Sequence, residues 1–410
     1  MKIGKKHRCT GNHRSGISSV MKKLMGWAIL KTIFLVTALL LTGAVYAGKG
    51  DEPPRKEKPK ESPSQEIIAH SWVSKKIQGA IWGIAFGDVD GDGSPEIISL
   101  ERDAVHVGVI RDDKYQVTFT YEWRGLEEGV RLYTIDLDGN GTEEVIVSAV
   151  DRGRPSSFAL TLSDKILKPF FEHQPWHLRV LDKPAGKVLI GQQWNTTDFF
   201  AGPIYELAFN GKKLKHTQRL ILPRRTELFD FAFLPISPDD EDSVTERVIR
   251  IEGNEPMKVY ERKGKRFKKE WSSGLRYDGS ANIIDAHERE PLSIAEDEIA
   301  IDLEPEVIQM GEKSIILATR HDVPLMGIIG RRPLVHNGRI VALQEEPSLG
   351  FVHAFETEEV PGYISDFIIK SKRLVASVQV HPSMFYESAE SILLFFDMPD
   401  VSVDFSPKKE

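Results

Sequence analysis

Two stretches of the chain set carboxylates at alternate positions with glycines between them. The first runs Asp88-Val89-Asp90-Gly91-Asp92-Gly93-Ser94-Pro95-Glu96, and the second Asp136-Leu137-Asp138-Gly139-Asn140-Gly141-Thr142-Glu143-Glu144. Counting from the first aspartate, Asp88, Asp90 and Asp92 offer side-chain oxygens at positions 1, 3 and 5. The Ser94 carbonyl follows at position 7 and Glu96 at position 9. Asp136, Asp138, Asn140, the Thr142 carbonyl and Glu144 repeat the series. The glycines let the backbone curl through positive φ, and carboxylates gathered this closely repel one another unless a cation sits among them. A flexible ring of hard oxygens favours Ca²⁺ over Mg²⁺, which demands a stricter octahedron. Zinc prefers nitrogen and sulfur ligands. Two structural calcium ions are therefore expected. An EF-hand is not, because its twelfth position, a bidentate glutamate, is Ser99 in one copy and Val147 in the other.

Other chemistry-bearing residues carry less. His173 and His177 have the spacing of a helical metal pair, but Pro175 between them breaks that helix. The run from Asp285 to Glu290, with His287 inside it, reads as a solvated loop. No nucleophile elbow, His-Glu-x-x-His or phosphate loop occurs. Cys9 is the one cysteine and lies in a removable N-terminal segment, which leaves no thiol for disulfides or catalysis. Most tryptophans are expected to pack between sheets; Trp176 and Trp194 are the candidates for an aromatic platform that would hold a glycan.

The elements that must position the acidic loops are strands. The two loops are offset by 48 residues, each follows a short apolar segment, and each precedes another. Ala104 to Ile110 and Tyr115 to Trp123, joined by a polar turn, are rich in Val, Tyr, Phe and Thr, as strands are. Four short strands per period is the size of one propeller blade. Lysine-bearing turns at Lys114, Lys165, Lys212 and Lys265 continue the period, and Asn210-Gly211 suits a tight hairpin. Over residues 67–400 this spacing predicts an all-β propeller of seven blades of four antiparallel strands, with blade edges unplaced in 276–350. Residues 67–73 are expected to close the ring against the last blade.

The strand–DxDGDG–strand unit resembles the FG-GAP/VCBS repeat of integrin α-subunit propellers and of many secreted bacterial proteins. The segment Gly202-Pro203-Ile204-Tyr205-Glu206-Leu207 with Asn210-Gly211-Lys212 is similar to later units of such proteins. The resemblance implies structural Ca²⁺ at the edges of blades. Pro238 to Asp242 keeps the acid without the glycine spacing, and the loop after Phe367 is basic, so two intact ion sites are expected.

The ends and the charge bound the function. Lys22 and Lys23, the apolar run Ile33 to Val45 and the exit Val45-Tyr46-Ala47 describe a secretory signal over 1–47, with residues 1–20 an upstream extension. The apolar run is short for a membrane span. Residues 48–66, rich in Pro, Lys and Glu, read as a disordered linker, and 401–410 as a tail. Without the eight basic residues of 1–47, 46 Lys/Arg face 61 Asp/Glu, a net charge near −15. Such a surface repels phosphate backbones and anionic lipid, so neither nucleic acid nor membrane is an expected partner. The expectation is an exported, non-catalytic, calcium-binding propeller of the periplasm, outer-membrane surface or medium that holds a protein or glycan. A propeller enzyme of lyase or glycosidase type, with carboxylates or histidines meeting at the axis, and a structural subunit of an envelope assembly are the alternatives.

Overall fold

The computed structural model describes residues 66–399 apart from short gaps, the longest being 237–243, 286–297, 323–336 and 381–389. The signal segment, the linker up to residue 65 and the tail lie outside the described residues, as do Pro238 to Asp242 and most of the Asp285–Glu290 run.

The described chain is all β, and its main sheets follow one another along the sequence as blades. Blade 1 spans residues 83–122, blade 2 127–174, blade 3 177–219, blade 4 231–277, blade 5 306–357 and blade 6 363–397. In blades 1 and 4 the outermost strand is the most exposed. In blade 1 the second strand, Glu96–Leu100, is buried on both faces, whereas the fourth, Lys114–Glu122, alternates between exposed and half-buried residues. Apolar residues therefore run continuously in the strand flanked by neighbouring blades and alternate in the strand that meets water. The four lysine turns do sit between the third and fourth strands of blades 1–4. Asp164 and Lys165, with φ of 56° and 62°, make the two-residue turn of blade 2.

The blade number corrects the expectation of seven: there are six. The period of about 48 residues fails between blades 4 and 5, whose first strands begin at Phe231 and Glu306, 75 residues apart. A two-stranded hairpin, Asn282–Asp285 with Glu298–Ile301, lies in that interval in place of a blade. The segment at 67–73 belongs to two sheets. Glu66–Ile68 adds in parallel to blade 5 at Gly350–Thr357, and His70–Val73 pairs antiparallel with Glu390–Asp397 as the outer strand of blade 6.

Polar contacts link every pair of adjacent blades, so the ring is closed. Thr134 Oγ1 donates to the Phe86 carbonyl (2.8 Å) and Lys187 Nζ to the Thr134 carbonyl (3.0 Å). Arg179 donates to the Phe231 carbonyl (2.7 Å), Arg247 pairs with Glu345, Ile364 N donates to His321 Nε2 (3.1 Å), and Ile84 N to Asp366 Oδ2 (2.8 Å). Apolar clusters fill the same seams. Ile98, Val107, Val147 and Leu160 join blades 1 and 2, and Ile316, Val341, Ile249 and Val259 join blades 4 and 5.

Candidate metal centre and axial channel

The first strands of blades 1 and 2, Gly83–Gly87 and Glu127–Ile135, run directly into the acidic loops, and Glu96–Leu100 and Glu144–Asp151 leave them. Strands on both sides complete the exclusion of an EF-hand, which has helices there. The two loops fold alike. Asp88 accepts from Gly91 N (2.8 Å) and Gly93 N (2.9 Å), and Asp136 from Gly139 N (2.8 Å) and Gly141 N (3.0 Å). These four glycines have φ between 75° and 90°, a region that a side chain makes costly. Glu96 and Glu144 anchor the far ends by accepting from Val89 N (3.0 Å) and Leu137 N (2.8 Å).

The fold brings Asp88, Asp90 and Glu96 together in one loop and Asp136, Asp138 and Glu144 in the other, each trio with an oxygen apiece within 4.8 Å. Every side chain of the series also braces the loop backbone: Asp90 and Asp138 accept from Asp92 N and Asn140 N (3.0 and 3.1 Å), and Asp92 and Asn140 from Ser94 N and Thr142 N (2.7 Å each). Burial pushes the Glu144 carboxyl up to about 7, assisted by Asp138 and Asp136, and raises Glu96 in the same way. Glu144 is fully buried, and its Oε1 has no hydrogen-bond partner. A desolvated carboxylate oxygen beside two further carboxylates fits a hard cation, and a neutral loop of plain turns would not need it. The loops also touch: Glu143 N donates to the Asp88 carbonyl (2.9 Å), and Glu143 takes the Lys187 ammonium (2.6 Å).

The tryptophan pair is not brought to a common surface. Trp176 is buried in the seam of blades 2 and 3, edge-on to Tyr205, and Trp194 lies half-buried under the Arg154 guanidinium at 5.1 Å. His177 is buried with Nε2 against the Phe199 carbonyl (3.0 Å), while His173 stands exposed on another strand.

A second constellation was not singled out in the sequence. The first strands of all six blades line one axial cavity of about 390 Å³. Arg131 and Tyr133, two apart on the strand Glu127–Ile135, face it together, because side chains two apart share a strand face; Glu304, just before the strand Glu306–Met310, and Glu306 at its start line it as well. Arg179 and Asp366 enter from blades 3 and 6. Arg179 pairs with Glu304 (Nε–Oε2 3.2 Å), and the Tyr133 hydroxyl donates to the same carboxylate. Burial pushes Asp366 up to about 7 against the pull of Arg131. Burial and then Glu304 push Glu306 up to about 8. One signal was available: Arg131 and Asp366 are charges inside otherwise apolar strands that precede a loop. Glu304 and Glu306 fell where the period is lost.

No protein-family model matches the chain, and no curated protein matches it. Solved structures that resemble it include the N-terminal domain of Nup159 (8% identity, 82% of this chain and 98% of that one, TM-score 0.34). A protein from Lactobacillus plantarum (10%, 78% and 84%, TM-score 0.36) and the periplasmic gluconolactonase of Pseudomonas aeruginosa (11%, 78% and 85%, TM-score 0.38) resemble it as well. Likeness this distant carries no functional argument, and the propeller is read from the chain's own sheets.

Proposed function

We propose that this chain is an FG-GAP/VCBS-type propeller held by two structural Ca²⁺ ions, exported, and serving as a binding or scaffold module for a protein or glycan of the cell envelope. The observation that carries the calcium reading is the buried, unpartnered Glu144 Oε1 beside Asp136 and Asp138, in a loop whose fold is duplicated at Asp88, Asp90 and Glu96. Ca²⁺ would take these carboxylates together with loop carbonyls and fix the turn between the first two strands of blades 1 and 2. Its affinity is expected in the range of extracellular modules, on the order of 10⁻⁴ to 10⁻³ M. The export reading draws on the N-terminal signal and the acidic remainder of the chain. A catalytic propeller is the second reading, favoured by the meeting of Glu304, Glu306 and Asp366 at the axis.

The test is thermal melting of the purified protein in millimolar Ca²⁺, in Mg²⁺ and in chelator. A rise specific to Ca²⁺ is expected, because a ligand of the native state alone stabilises it by mass action. Asp90→Ala combined with Asp138→Ala should abolish that rise. A double variant that gains as much from calcium as the parent overturns the assignment.

A further inference from the structure

We propose that the axial channel is a binding site for a small organic cation, a primary ammonium or guanidinium head whose counter-ion is Glu306. The inference rests on the ring and its wall, independently of the calcium loops.

The channel's inner charges do not balance. Two guanidiniums, Arg131 and Arg179, face three carboxyls, Glu304, Glu306 and Asp366. Arg179 is committed to Glu304 and to the carbonyls of Leu228 (2.9 Å) and Phe231 (2.7 Å). Asp366 is held by Ile84 N and Phe367 N (2.8 and 2.9 Å) and attracted by Arg131. Glu306 is the surplus: among the described residues its carboxyl has no hydrogen bond or ion pair, and the charges that act on it include Glu304, Asp182 and Asp366, all acidic, against Arg179. The wall's other charges, one acid and two cations, lie toward solvent: Asp182 and Lys370 are exposed, and Lys187 is exposed and pairs with Glu143.

Glu306 is half-buried, and a desolvated carboxyl without a cation favours its proton instead. Burial pushes Glu306 up to about 8, so near neutral pH the proton occupies the place of a counter-ion. An ammonium arriving there would replace that proton at equal charge. An anion would have to enter beside Glu304, Asp182 and Asp366. The cavity, about 390 Å³, has the volume of a small-molecule site (about 300–1,000 Å³). Phe86 and Phe233 in its wall add apolar surface for the methylenes of such a ligand.

The probes are n-butylamine, 1-butanol and butyrate, tested by titration calorimetry on the whole protein in saturating Ca²⁺ and again in chelator. Butylamine should bind, and its two analogues should bind at least about tenfold more weakly, the worth of one charged hydrogen bond. Comparison of two buffers of different ionisation enthalpy at pH 7 should show release of up to about one proton per amine bound, since the cation displaces it. Glu306→Gln should weaken the amine about tenfold or more and abolish the proton release. Should that variant not fold, the proton count on the parent decides. Equal binding of butanol or butyrate, proton uptake, an unaffected Glu306→Gln, or no amine binding at ~0.1 M would each overturn the proposal. Failure of the calcium reading would register separately, as melting indifferent to Ca²⁺.

Discussion

Glu96 and Glu144 hold the same place in twin loops, and both are lifted by burial, Glu144 to about 7 from an ordinary 4.5. The sign of the consequence follows from which state holds the proton. Between about 4.5 and 7 the native state keeps it while the unfolded chain has released it. This contribution to stability is therefore full at the acid end of the window and is lost as pH rises through it. Calcium requires the ionised carboxylate, so its stabilisation should grow over the same interval. Chemical denaturation between pH 5 and 8 in chelator should show a falling stability to which Glu144 adds on the order of 2 kcal/mol. Asp366 and Glu306 are raised as well and contribute a slope of the same sign, so the comparison is with Glu144→Gln. That variant should have the shallower slope in chelator and should lose the calcium response of its loop. Identical slopes in parent and variant would show that Glu144 is ionised in the native state at all these values. The acidic series itself was plain in the sequence, because its members sit at fixed intervals along the chain. The bracing was not: the same side chains hold the loop backbone, Asp90 on Asp92 N and Asn140 on Thr142 N among them, which depends on where the turn closes.

Strands show how unevenly a sequence discloses its sites. The second strand of a blade is covered on both faces, so Glu96–Leu100 and Glu144–Asp151 read as apolar runs and were legible as strands. The first strands carry polar residues into a narrow axis, and the local sign of Arg131 and Asp366, a charge in the middle of a strand, does not say which charges they meet. Only closure of the ring brings them together. Blade 4 has the same character. Its second strand, Glu246–Arg250, ends in Arg250, which pairs with Asp230 and donates to the carbonyls of Arg224 (3.1 Å) and Arg225 (2.7 Å), with both charged side chains only 5% exposed. Neutralising one partner leaves the other charge desolvated, which costs about 3–5 kcal/mol. Asp230→Ala should lower unfolding free energy by that amount, measured by urea titration. A loss under about 1 kcal/mol would mean that the two carbonyls alone satisfy Arg250.

At the scale of the whole molecule, the repeat set the architecture and an irregularity set the number. Regular spacing over blades 1–4 extrapolates to seven units, whereas the chain spends residues 278–305 on a hairpin interval and returns its N-terminal strands to complete the last sheet. A ring built this way is closed by pairing between the two ends of the described chain. Ile68 is part of the core of blades 5 and 6, Trp72 meets Phe395 edge-on at 5.0 Å, and Ser74 N donates to the Leu393 carbonyl (2.9 Å). Deleting residues 66–78 would strip these contacts and leave Glu390–Asp397, with Leu393, Leu394 and Phe396 in its core, as a bare edge. Solenoids without their caps expose such edges, and the open edge recruits other chains. The deletion variant should therefore lose about 3 kcal/mol or more and should self-associate in sedimentation at concentrations where the parent does not. If the strand acts as a clasp, a synthetic peptide of residues 66–78 added in trans should restore both the melting temperature and the parental sedimentation behaviour. A deletion variant that melts like the parent and does not self-associate would instead place the closure of the ring in the inner-strand contacts alone, chiefly Asp366 with Ile84 and the seam of Ile81, Ile84, Val375 and Leu393.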